Sequence, residues 1–146
     1  MLDAPQAEIV CSHDPRWRAA SLRDWGIESP ATGSYLGELI AHHFIAGPAR
    51  ARLQPLDRSV LTVVVLDGPA GLGSRAPLGE VEGAPRADAW CRALLSGDPA
   101  ARSGAELASI VEPEVWRELA TLTPKYAELV AAESEGVGRY VARWEV

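Results

Sequence analysis

The sequence predicts an α/β domain: a short, mostly parallel sheet flanked by helices, with the C-terminal strand at an edge. Three observations predict it. Val60-Leu61-Thr62-Val63-Val64-Val65-Leu66 is apolar at almost every position, as suits a central strand covered on both faces. Segments with apolar residues at helical spacing alternate with such strands along the chain. The last eight residues, Arg139 to Val146, alternate at the period of a half-exposed strand. At 146 residues the chain fits one domain, residues 1–146, long enough to bury a core without a disulfide or a metal.

In chain order, Ala7 to Ser12 is short and β-prone and reads as the first strand. Asp14-Pro15 has the form of an N-cap with proline at the first helical position, opening a short helix through Arg23 with Trp17, Ala20 and Trp25 inward. From Ser34 to Gly47-Pro48, Tyr35, Leu36, Leu39, Ile40, His43 and Phe44 recur at helical spacing. Residues 49 to 57 read as a polar, Arg-rich connection, and Asp67-Gly68 ends the strand that follows. Residues 69 to 84 hold four glycines and two prolines; long structureless loops inside compact domains are usually functional or disordered, and a site in this protein is expected to border this one. Pro85 opens a helix with Ala87, Trp90, Cys91, Leu94 and Leu95 inward, closed by Gly97. Two more helices are expected, from about Pro99 to Ile110 and from Pro113 with Val115, Trp116, Leu119 and Leu122 inward. Pro124 splits the second before Tyr126, Leu129 and Val130. In the final strand Tyr140, Ala142, Trp144 and Val146 share one face, and Arg139, Arg143 and Glu145 the other.

Composition narrows the partners. A net charge of −6 argues against nucleic acid, which needs clustered Lys and Arg. No apolar run approaches a membrane span, and Met1 to Pro5 shows no basic region followed by an apolar stretch, so a cytoplasmic protein is expected. Cys11 and Cys91 lie in unrelated contexts and read as two buried thiols.

Two residues stand at carboxyl ends of strands, the edge where open α/β sheets bind ligands: His13 and Asp67. Both are candidates for ligand or metal binding, with Gly68, Ser74 and Arg75 of the adjoining loop as further ligand contacts. The plainer alternatives are a loop histidine beside a helix cap and a turn aspartate bonded to nearby backbone. His42 and His43 invite an iron site with His13 and Asp67. Against this, a crossover helix runs antiparallel to its strands, so a 34–46 helix about 18 Å long carries both away from His13. His43 then reads as a core residue and His42 as a surface one. Gly68-Pro69-Ala70-Gly71-Leu72-Gly73-Ser74 lacks the Gly-Lys-Ser/Thr ending of a phosphate loop, and no nucleophile elbow surrounds Ser74.

Asp67-Gly68-x-Ala70, Ala76-Pro77-x-Gly79, and Asp88 on a helix leading into Gly97-Asp98-Pro99 resemble the distal part of small actinobacterial relatives of the class III extradiol ring-cleavage dioxygenases. Good matching covers about residues 60 to 100, and Ser12-His13-x-Pro15 is similar to the family's first ligand motif. The resemblance implies a related fold and, in catalytic members, a ferrous ion held by two histidines and a glutamate that inserts dioxygen into a catechol. This chain offers no counterpart to the second histidine or the glutamate. The expectation is therefore a shortened, non-catalytic relative acting as a small-ligand-binding or assembly subunit, in a homo-oligomer or with a larger partner. Two alternatives are an Fe2+ dioxygenase completing its site across a subunit interface, drawing on His13, Asp67 and Glu80 or Glu82, and a structural protein pairing through the Tyr140–Val146 edge.

Overall fold

The structure is a computed structural model and describes residues 7–73, 76, 79–102, 107, 110–134 and 136–146. The chain is mixed α/β and groups into two compact units, one reaching to Leu66 and the other beginning at Asp67. Among the described residues no helix is long and apolar enough to cross a membrane.

The first unit holds a three-stranded parallel sheet of β1 (Ala7–Cys11), β2 (Ala49–Arg50) and β3 (Leu61–Val65), in the order β2-β1-β3. Ile9 stands opposite Ala49 on one side and Val63 on the other. The central position therefore belongs to β1, whose Ile9, Val10 and Cys11 are fully buried, and not to the more apolar 60–66 run. Leu61 at the start of β3 is exposed. A run of β-branched residues reports strand propensity, whereas position in the sheet depends on pairings far away in sequence.

The Arg-rich segment supplies β2. Arg50 pairs with Glu8 of β1 and donates to the carbonyls of Arg52, Leu53 and Pro55, which gives this polar stretch its shape. Gly47 allows its approach: a β-carbon there would lie 2.7 Å from the Ala7 carbonyl carbon and closer still to its oxygen.

Between β1 and β2, Asp14 accepts from the Arg16 backbone N–H at 2.9 Å and opens a 3₁₀ turn, Pro15–Trp17. The helix expected through Arg23 stops there. Arg18 bridges to Tyr35, and Ala19 N–H donates to the Ser34 carbonyl, drawing the backbone out of helical geometry before a second turn at Arg23–Trp25. Ala20 and Trp25 consequently face outward, Trp25 being 51% exposed. Helix α1 is Leu36–His42, shorter than the 34–46 span, and buries Leu39 and Ala41. Ala41, Ile9 and Cys11 form a core cluster with Ile45, Ala49 and Val65 packed against it. Ending α1 at His42 leaves Phe44 78% exposed and His43 exposed as well, so His43 is not a core residue.

The second unit is organised on α2 (Ala84–Leu95), which buries Ala84, Ala87, Trp90, Cys91 and Leu94 at helical spacing. A 3₁₀ turn, Pro99–Arg102, follows, and much of the helix expected on to Ile110 lies outside the described residues. Helix α3 (Glu114–Ala120) buries Val115, Trp116 and Leu119.

Beyond Pro124 the chain is extended. β4 (Tyr126–Ser134) pairs antiparallel with β5 (Gly138–Glu145), interrupted by an irregularity between Leu129 and Ala131. Tyr126, Leu129 and Val130 therefore belong to a strand and not to the tail of a helix. Ala127 and Leu129 are half-buried while Tyr126, Glu128 and Val130 are exposed, which is the period of a strand. β5 is thus an edge strand of a two-stranded antiparallel sheet of its own. Its inward face reaches α2: the Trp144 indole donates to the Leu95 carbonyl at 2.9 Å and the Tyr140 hydroxyl to the Asp88 carboxylate.

Candidate functional site

In the first unit the carboxyl end of β1 delivers His13 into the bend before the Pro15 turn. Its ring stacks on Tyr35, the residue preceding α1, with centroids 4.4 Å apart and planes 8° from parallel. Arg18 sits over the other partner of that stack, 6.0 Å from the Tyr35 centroid. The His13 Nε2 and the Trp17 indole nitrogen are both buried without a hydrogen-bond partner. Two such atoms within five residues of one another are unusual, because buried polar groups are nearly always satisfied.

Beneath this end of β1 lies Cys11, in contact range of Gly37 of α1. Burial, with the nearby Glu38 charge adding to it, pushes the Cys11 thiol up to about 11. Glu38 itself reaches back to accept from the Ser34 backbone N–H at 2.9 Å, bracing the entrance to α1. Tyr35, Trp17 and Glu38 were absent from the sequence-level site. Only Glu38 had a local signal, an acid four residues after Ser34 at a helix start.

His42 and His43 serve structure at the opposite end of α1. His42 bonds the Thr32 carbonyl through Nδ1 and the Gly47 carbonyl through Nε2, the latter at 2.9 Å. These two carbonyls raise its pKa above the ordinary value of 6.5. His43 Nδ1 bonds the Ser29 hydroxyl at 2.8 Å. Since His13 packs at the start of α1 and His42 ends it, the pair does not converge on His13.

Asp67 opens the second unit. Its backbone carbonyl accepts from the Trp116 indole at 2.8 Å, so its main chain is held by α3. The loop after it is stitched to the β4–β5 connection: Gly138 N–H donates to the Pro69 carbonyl (2.6 Å), Leu72 N–H to the Gly136 carbonyl (3.1 Å), and Ala70 bridges to Val137. Gly68 permits this contact, since a β-carbon would lie 2.9 Å from the Gly138 carbonyl carbon and nearer its oxygen. Ser74 and Arg75 lie outside the described residues. Glu80 and Glu82 are exposed.

A facial-triad ferrous site needs three converging ligands. Among the described residues no three His, Cys, Asp or Glu side chains are placed to hold a metal ion, and His13 and Asp67 belong to different units. Among the described residues the donor set of neither unit fits Fe2+.

A polar cluster that the sequence reading missed joins α2 to β5. Asp88 accepts from Tyr140 and from Arg92 Nε (3.0 Å), and the Arg92 guanidinium lies 5.8 Å from the Tyr140 ring centroid. Burial raises the Tyr140 phenol and pushes the neighbouring Cys91 thiol up to about 12. These groups tie the hairpin to the helix. Comparison of the chain with protein-family models, curated proteins and solved structures finds no significant match.

Proposed function

We propose that the chain is a non-catalytic relative of the extradiol dioxygenases that binds a small catechol-like ligand beside His13, at the carboxyl end of β1. One observation carries this: His13 Nε2 is buried without a hydrogen-bond partner at the edge of a parallel sheet where ligands are bound. An unsatisfied buried polar atom costs about 1–3 kcal/mol, which a ligand hydroxyl at that nitrogen would remove. The Trp17 indole N–H, unpartnered in the same segment, is a donor for a second ligand oxygen. Adjacent hydroxyls of a catechol suit one lone pair and one donor. The resemblance of Ser12-His13-x-Pro15 to a ligand motif supports the same position.

The protein acts in the cytoplasm as a subunit of an oligomer. Two buried, unpaired thiols suit a reducing compartment. The net charge of −6 suits partners other than nucleic acid.

Calorimetric titration of the full chain with catechol, and separately with ferrous ion under anaerobic conditions, tests this reading. Saturable catechol binding without iron, abolished in His13→Ala and with no oxygen uptake in air, is expected. Stoichiometric iron binding with oxygen consumption would instead favour a dioxygenase completed across a subunit interface. Failure to bind catechol would end the ligand reading.

A further inference from the structure

We propose that two copies of this chain pair through β5, antiparallel about a two-fold axis at Ala142, extending the hairpin into a four-stranded sheet β4-β5-β5-β4. This deepens the assembly part of the proposed function by naming the partner, and it does not depend on the ligand at His13.

The backbone sets which groups are available. Gly138 N–H points away from β4, to the Pro69 carbonyl, whereas the Glu145 carbonyl points toward β4's side, accepting from Lys125 N–H at 2.6 Å. Strand backbone groups alternate sides every residue. Tyr140, Ala142 and Trp144 therefore direct both N–H and C=O to the outer edge. Among the described residues no strand pairs there. An unpaired row of this kind is a template for another strand.

Charge then selects the register. With Ala142 opposite its own copy, Tyr140 stands opposite Trp144 of the second copy, and all three outward residues exchange both hydrogen bonds. On the exposed face, Arg139 meets Glu145 of the second copy, twice by symmetry, and Val141 lies against the stem of Arg143. Sliding two residues in one direction sets Arg139 against Arg143; sliding two in the other sets Arg143 against itself. Both lose hydrogen-bonded pairs and oppose like charges, which destabilises a sheet. Among the described residues Arg139 and Glu145 make no ion pair within the chain, while Arg143 is engaged with Glu128 (3.4 Å) and the Tyr126 ring. Arg139 stands opposite Glu133 in the hairpin without closing an ion pair with it, and Glu145 stands opposite the uncharged Tyr126, so both can engage the second copy.

β4 is the poorer edge. Its charged residues, Glu128 and Glu133, are both acidic, so self-pairing opposes like charges, and the irregularity at Val130 breaks its ladder. Val141 and Val130 are 59% and 60% exposed; Val141 is partly covered in the β5 pairing.

Sedimentation equilibrium of the full chain, with far-UV circular dichroism to verify folding, decides the matter. A dimer is expected. Arg139→Glu should weaken its dissociation constant by about tenfold or more, as two attractive cross-strand pairs become repulsive. Adding Glu145→Arg to that variant restores both pairs with reversed sign and should recover the wild-type constant. A monomer at the highest soluble concentration overturns the proposal, even if that monomer binds catechol and so leaves the ligand reading standing. A dimer indifferent to Arg139→Glu, a double variant as weak as the single one, or an open-ended polymer of β5 on β4 overturns it equally.

Discussion

Replacing Trp116 with phenylalanine removes one indole from the core of the second unit and should cost about 2–4 kcal/mol. Trp116 is 2% exposed, and its N–H donates to the Asp67 carbonyl at 2.8 Å. Its ring meets Trp90 and Tyr140 edge-on at centroid distances of 6.1 and 6.2 Å. Removing the donor leaves the Asp67 carbonyl of this part-buried pair without its partner, at a cost of about 1–3 kcal/mol. Shrinking the ring sacrifices roughly 40 Å² of buried apolar surface, about 1 kcal/mol at 25 cal/mol per Å². Urea denaturation reads the sum: with a slope of about 2 kcal/mol per M, the midpoint should fall by about 1–2 M. Trp25→Phe is the control, since an outward-facing ring should change stability by less than about 0.5 kcal/mol. If the two substitutions lower the midpoint equally, or Trp116→Phe leaves it in place, the packing assigned to α3 is wrong.

His42 makes stability depend on pH. Its pKa is raised in the folded protein, so its contribution is complete below the ordinary value of 6.5 and is lost as pH climbs through the raised one. His42→Ala should therefore lower the thermal midpoint more at about pH 5.5 than at about pH 8.5. Cys11 and Cys91, with thiols held up to about 11 and about 12, should resist iodoacetamide at about pH 8 and react only on unfolding, which mass spectrometry of pulse-labelled protein would register. Gly68→Ala should destabilise by about 1–3 kcal/mol in the same urea experiment, because its β-carbon meets backbone at Gly138.

Elements whose signals are local were legible in sequence. α2 is the clearest: Ala87, Trp90, Cys91 and Leu94 recur at helical spacing along one face, and all four are buried. Asp14-Pro15 marked a turn start correctly, but its end depends on the Arg18–Tyr35 bridge, seventeen positions apart and invisible to local pattern. Tyr126, Leu129 and Val130 recur at helical spacing, yet in the strand Leu129 lies on the opposite face from the other two, so pairing with β5 overrode the local pattern. The same limit hid β2, two residues whose strand character comes from β1.

The site divided along the same line. His13 could be singled out because a strand end is readable, and so could the opposition of His42 to it, because a helix has length. Tyr35 could not, since the Arg18–Tyr35 bridge is what brings the region around it back to the first strand's end, and nothing local marks the Trp17 indole as unpartnered. The glycine-rich 68–84 loop reads in sequence as the border of a site; at Gly68 the side chain is missing because another backbone occupies its place.

Nitrogen-15 spectra of the imidazole rings offer the most direct test, because the chain has only three histidines. Adding catechol should move the Nε2 resonance of His13 saturably while His43, bonded to Ser29 at the far end of α1, stays put. A spectrum in which bound catechol leaves His13 unmoved would contradict the assignment of the site.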